Sequence, residues 1–169
     1  MHQPLKIFVC FCLLFCTRAI LAATASNPLT VTATVINACT VAAGALPFGN
    51  YDPTSATPLD GSSTSPAISV TCTSGESYEI GLNQGTGTGG SATNPRVMTG
   101  TPSGTLNYNL FQDSGRLTLW GNTPPTNTVN KTGTGAPQTS QVYGRIPALQ
   151  ASPAGSYLDT VTITVSFTP

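Results

Sequence analysis

Charge is scarce in this chain: 169 residues carry 6 Lys and Arg against 6 Asp and Glu, with one Trp and one His. Each shortage excludes something. A nucleic-acid surface needs clustered cations to neutralise phosphates. After residue 25 only Arg96, Arg116, Lys131 and Arg145 stand against Asp52, Asp60, Glu76, Glu79, Asp113 and Asp159, so nucleic acid is not expected as a partner. The single histidine, His2, falls in an amino-terminal segment that is expected to be removed. Without it a Ser-His-Asp or Cys-His unit cannot be built, zinc loses its usual ligands, and no dense acidic cluster offers calcium a cage. The chain reads as a non-enzyme with no cofactor and no metal.

No apolar run is long enough to span a bilayer. Ile7 to Phe15 gives about nine apolar residues where a spanning helix needs roughly 20, and Arg18 follows. With Lys6 ahead of the run and Ala23-Thr24-Ala25 behind it, residues 1–25 read as a secretory signal peptide. Cys16 is a poor lipidation site because bulky Phe15 precedes it. No membrane anchor is predicted. Removing the segment also removes Cys10, Cys12 and Cys16, leaving Cys39 and Cys72. An even pair in an exported chain reads as one disulfide, worth about 3.7 kcal/mol on the chain-entropy estimate for such a loop.

What is abundant is threonine, with 26 after residue 25. Its stiff, branched Cβ suits a pleated surface and its hydroxyl suits water. Period-two alternation dominates and no helical apolar stripe competes with it, so the class is all-β. The clearest strand is residues 160–167, where Val161, Ile163, Val165 and Phe167 alternate with hydroxylic residues. Residues 29–35 repeat the pattern with Leu29, Val31, Ala33 and Val35 between threonines. Further strands are predicted over residues 67–73, 78–82, 105–111, 117–120 and 141–146, punctuated by Asp60-Gly61, Ser74-Gly75, Asp113-Ser114-Gly115 and Pro153-Ala154-Gly155. Residues 84–95 and 122–138, rich in Gly, Thr, Asn and Pro, read as mobile surface loops with no core position. Short strands at such spacing predict an immunoglobulin-like β-sandwich.

Three further features have ordinary explanations. Gly85-x-Gly87-x-x-Gly90 matches a dinucleotide-binding fingerprint, but Ser91-Ala92-Thr93-Asn94-Pro95 follows it where a helix must open, so it reads as a flexible loop. Glu76, Glu79, Asp52 and Asp60 lie in or beside turns and read as solvated carboxylates. Trp120 with the tyrosines could offer sugars an aromatic platform, yet Tyr78, Tyr108 and Tyr143 alternate in phase with strand residues, which favours packing.

The order of landmarks is specific: Cys39-Thr40-Val41, Pro47-Phe48-Gly49-Asn50-Tyr51-Asp52, Val70-Thr71-Cys72-Thr73, Tyr78-x-Ile80-x-Leu82-Asn83, Leu106-x-Tyr108-x-Leu110, Trp120-Gly121, Tyr143-Gly144-Arg145-Ile146-Pro147 and Pro153-Ala154-Gly155-x-Tyr157-x-Asp159-Thr160-Val161. Taken together they resemble the spore coat protein U domain family, which includes the pilins of archaic, Csu-type chaperone–usher fibres. The resemblance implies a sandwich over residues 38–169 that lacks its last strand, with residues 26–37 as an amino-terminal donor or first strand. Leu29, Val31, Ala33 and Val35 would be the donor's plugs, and Val161, Ile163, Val165 and Phe167 would border the groove that a chaperone engages. It further implies a periplasmic chaperone, an outer-membrane usher and copies of itself or sibling pilins as partners. The protein would pass through the periplasm to a cell-surface fibre serving adhesion and biofilm formation. Another outcome stays open: if residues 26–37 pair within their own subunit, the molecule is a self-contained coat or glycan-binding sandwich.

Overall fold

The computed structural model describes residues 22–62 and 68–168. Most of the predicted signal segment, with His2, Cys10, Cys12 and Cys16, lies outside the described residues, as does residue 67. The chain divides into two units, Met1–Thr34 and Val35–Pro169. The described part of the first, residues 22–34, holds no helix or strand, and each of its residues is exposed.

Among the described residues the second unit is all-β, with strands β1 (Cys39–Ala43), β2 (Leu59–Ser62), β3 (Ile68–Cys72), β4 (Ser77–Leu82), β5 (Arg96–Thr101), β6 (Thr105–Phe111), β7 (Val129–Thr132), β8 (Gln138–Ser140), β9 (Tyr143–Ile146), β10 (Ser156–Leu158) and β11 (Ile163–Phe167). They form three sheets in the orders β1-β3-β8, β10-β5-β6-β9-β2 and β11-β4-β7. Each pairing is antiparallel. Strands β8 and β9 are almost continuous, and the short break at Gln141 and Val142 passes the chain from one sheet to another, as happens at sandwich corners.

Alternation explains the core. Ile68, Val70 and Cys72 of β3, Tyr78, Ile80 and Leu82 of β4, and Leu106, Tyr108 and Leu110 of β6 point inward, and Met98, Trp120, Val142 and Ile146 complete one buried cluster. Side chains of this size each stabilise by about 1.5–3 kcal/mol when fully enclosed. Gly61 of β2 and Gly144 of β9 face each other in register, and a Cβ on either would collide with the Phe48 ring. The missing side chains make the hollow into which Phe48 and Leu46 settle.

Several sequence expectations need correction. Residues 117–120 form no strand; only Leu119 bridges to Phe111. The Asp113 carboxylate accepts from the amides of Leu117 (3.2 Å) and Thr118 (2.8 Å), bending the chain so that Leu117 stands in solvent. Residues 122–138 are not loop throughout: they hold β7, and Val129 packs against the core because β4 recruits it as a ladder partner. Strand β11 begins at Ile163, so residues 160–162 precede it. The short strands β1, β2, β5, β7, β8 and β10 were not expected, since their segments lack clean alternation and owe their pairing to neighbours.

Candidate functional site

Strands β1 and β11 are the terminal strands of their sheets and approach one another without pairing. The Asn37 side-chain amide donates to the Thr168 carbonyl at 3.1 Å, so the start of β1 lies beside the end of β11. The opposite ends, Ala43 and Ile163, open onto a cleft of about 960 Å³. Its floor is core: Ile68, Leu82, Met98, Leu106, Leu110 and Ile146. Its rims are residues 43–51 and 152–161.

The edges are incompletely covered. Ile163, Val165 and Phe167 alternate inward on β11 but are only half-buried, although their ladder partners Leu82, Ile80 and Tyr78 are enclosed. On the other edge Val41 is 45% exposed. Half-buried apolar residues flanking unpaired backbone edges are what another strand would cover.

The predicted site residues fall as follows. Cys39 and Cys72 form a disulfide that staples edge strand β1 to β3. Val161 packs with Ile163, Val165 and Phe167 against the core. Leu29, Val31 and Val35 are about as exposed as side chains can be, at 87%, 84% and 84%, and Ala33 is exposed as well. The segment carries the alternation of a strand without a strand's pairing among the described residues.

Aromatic and acidic candidates resolve into structural roles. Trp120 is 1% exposed and its indole donates to the Ile80 carbonyl at 2.9 Å, so it offers sugars no platform. Tyr78 and Tyr108 are buried, and Tyr143 lies under the Arg116 guanidinium at 5.9 Å. Asp60 receives a two-pronged contact from Arg145 (2.7 and 3.0 Å), and that hydrogen bonding holds its carboxyl below the usual value. Asp52 is lowered by its bonds from Thr54, Glu76 accepts from the Thr168 amide, and Glu79 accepts from the Thr128 hydroxyl. Among the described residues no three His, Cys, Asp or Glu side chains gather as a metal would need, and no helix is long and apolar enough to cross a membrane.

The glycine-rich segment is not the free loop its composition suggested. Asp159 sits on it: its Oδ1 accepts from the Thr86 amide (2.7 Å), the Thr86 hydroxyl (2.9 Å), the Gly87 amide (3.3 Å) and the Thr160 amide (2.7 Å), while Oδ2 accepts from the Tyr108 hydroxyl (2.7 Å). A Cβ at Gly85, where φ is +85°, would overlap this carboxylate, and one at Gly87 would overlap the Val97 carbonyl. Consecutive amides thus form an anion nest filled by the chain's own side chain. Burial alone would raise the Asp159 carboxyl, but the bonds from Tyr108, Thr86 and Thr160 outweigh it and hold it low. Behind it the fully buried Arg96 donates to the carbonyls of Asn83 (2.8 Å), Leu82 (2.8 Å) and Trp120 (2.7 Å); burial lowers its pKa to about 10, against the opposing pull of Tyr108 and Asp159. Sequence reasoning missed Asp159 as a site residue.

With the groove described, comparison with known proteins is direct. The family model of the Spore Coat Protein U domain matches residues 25–164. The chain belongs to that family. Protein U of Myxococcus xanthus is 40% identical to this spore coat U chain over 157 residues, 86% of the chain and 87% of the relative. Among solved structures, the CsuC–CsuE chaperone–tip adhesion subunit pre-assembly complex from archaic chaperone-usher Csu pili of Acinetobacter baumannii contains a chain similar to this spore coat U domain, with a TM-score of 0.55 and 26% identity. The match covers 79% of this chain and 40% of that one, so the spore coat U chain spans less than half of that neighbour's length.

Proposed function

We propose that the protein is a structural subunit of a bacterial surface fibre, exported through the periplasm and assembled by chaperone–usher donor-strand exchange. Residues 26–37 of one copy complete the groove of the next. The observation that carries this reading is the pairing of two opposite features in one chain: an apolar cleft onto which the ends of two unpaired edge strands open, and an exposed segment with the alternation to fill it. Membership of the spore coat U family and likeness to a chain of a chaperone–pilus subunit complex support it.

The physics of the exchange follows from strand addition. An incoming segment pairs its backbone with an open edge and sends alternate side chains into the cleft. Leu29, Val31 and Val35 are the large plugs, each worth roughly 1.5–3 kcal/mol of burial before the cost of ordering the strand, and Ala33 is a small one. A periplasmic chaperone would cover the edge at Val161, Ile163, Val165 and Phe167 first, and an outer-membrane usher would admit the donor in its place. A fibre so built serves adhesion and biofilm formation.

The test is the state of the exported protein. Copies released from cells should run as a ladder in unheated detergent and collapse to one band on boiling. Val31→Asp, which puts a charge where a plug must bury, should abolish the ladder. A stable, cooperative monomer with no ladder in the unsubstituted protein overturns the reading.

A further inference from the structure

We propose that Asp159 is the positioning residue that sets the rim of the groove for strand capture, with the Gly85–Gly87 nest as its seat. The inference rests on the donor-strand reading and adds a polar anchor to an apolar site.

Three observations carry it. First, inward and outward positions alternate without a break from Tyr157 to Thr168, and Asp159 lies in the inward row with Val161, Ile163, Val165 and Phe167. It is the one charged member of that row, set between Tyr157 and Val161, both of which pack against the core. Because the side-chain period is two, a slip of one residue here would turn Val161 and Ile163 away from the cleft. Second, residues 159–162 precede the β11 ladder, and side-chain bonds help to place them beside the one backbone bond from the Asn83 amide to the Thr162 carbonyl (3.1 Å). The Asp159 carboxylate holds one end, while the Asn83 side chain accepts from the Thr162 amide at 2.8 Å at the other. Third, one carboxylate ties three elements together at the rim: the turn after β4 through Thr86 and Gly87, the β6 strand through Tyr108, and the rim itself. Tyr108 in turn meets the opposite rim, its ring edge-on to Phe48 at 6.1 Å.

The seat is shaped for this one group. Gly85 lacks the Cβ that would strike the carboxylate and adopts the positive φ that other residues resist. Nor is the nest open to an outside anion, since Asp159 already takes its amides. A nearby buried cation, Arg96, has one nitrogen with no hydrogen-bond partner, so the negative charge of Asp159 also serves a core that would otherwise hold an isolated guanidinium.

The experiment uses the exported chain, refolded at low concentration, and a fluorescent synthetic peptide of residues 26–37. Asp159→Ala should weaken peptide capture roughly tenfold or more, and Asp159→Asn, which keeps one acceptor oxygen, should weaken it less. Gly85→Ala, which crowds the carboxylate from behind without touching the cleft, should act like Asp159→Ala. The readout that a merely structural role would not move is peptide truncation. Removing two residues from the peptide end that covers Val161 should cost affinity in the unsubstituted chain and little in Asp159→Ala, while trimming the other end should cost both alike. If Asp159→Ala does not fold, Asp159→Asn and Gly85→Ala carry the same comparison. No capture by the unsubstituted chain overturns the donor-strand reading and this inference with it. Capture that is equal in the unsubstituted and substituted chains, with equal truncation costs, overturns the role of Asp159 alone.

Discussion

Strands β4 and β11 are ladder partners with nearly the same alternating pattern, yet one is enclosed and the other is not. Ile80 of β4 has β7 and β11 on either side and is wholly buried, whereas Val165, directly across from it, has a neighbour on one side only and stays half-exposed. Residues 29–35 carry the pattern a third time and are exposed throughout. Alternation therefore states what a segment is able to bury, and neighbours decide what it does bury. A chain holding all three conditions at once has the features that the proposed strand exchange requires.

The comparison breaks most sharply in the core. Ile80→Ala leaves a cavity with no route to collapse and should cost about 4 kcal/mol in denaturant unfolding, with or without the residue 26–37 peptide. A cost below about 1 kcal/mol would mean that β4 is no better enclosed than β11.

Next in size is the staple on the other edge. Replacing Cys39 and Cys72 by Ser should cost about 3.7 kcal/mol on the chain-entropy estimate for a separation of 33 residues. It should also loosen β1 before the rest, seen as early hydrogen exchange at Val41 relative to Val70. Uniform exchange across both strands would show that β1 needs no staple to hold its place beside the groove.

Val165→Ala sharpens the contrast further. In the chain alone its half-buried position should limit the loss to about 1 kcal/mol, and in the peptide complex, where the side chain becomes enclosed, the loss should roughly double. Equal losses in the two states would mean that nothing settles over β11.

The sequence made the patterned strands legible and the imposed ones illegible. Residues 68–72, 78–82 and 105–111 announce themselves by alternation and appear as β3, β4 and β6. Val129-Asn130-Lys131-Thr132 and Leu59-Asp60-Gly61-Ser62 do not; they are strands because β4 and β9 offer them open edges. Leu117 and Leu119 alternate well but lose to the Asp113 carboxylate, which satisfies local amides and turns the chain. The disulfide followed from cysteine arithmetic, whereas alternation at the two ends of the domain announced amphipathic strands and the groove came only as what the family resemblance implies. Asp159 had a signal that went unused: an acidic residue in phase with Val161, Ile163 and Val165 must find partners inside, and glycines without a following helix are suited to supply them.

The smallest effect is set by pH and isolates that carboxylate. Asp159 is held below its ordinary value of 3.8 in the folded chain, so its contribution to stability is present above that value and is lost as pH falls through the lower, folded value. The groups facing it are the Tyr108 hydroxyl, whose own proton burial and the Asp159 bond hold firmly, and the Arg96 guanidinium, which stays charged throughout. Neither titrates in this window. Asp52 and Asp113 are also lowered, by local hydrogen bonds in exposed turns, and they contribute a background of the same sign. Subtracting the pH profile of Asp159→Asn from that of the unsubstituted chain removes this background. The difference should be constant above about pH 5 and shrink steadily below pH 4, in peptide retention as well as in unfolding. A difference near zero at every pH down to 2 would mean that the nest holds the Asn amide as well as the carboxylate, and that shape, with no help from charge, seats residue 159 at the rim.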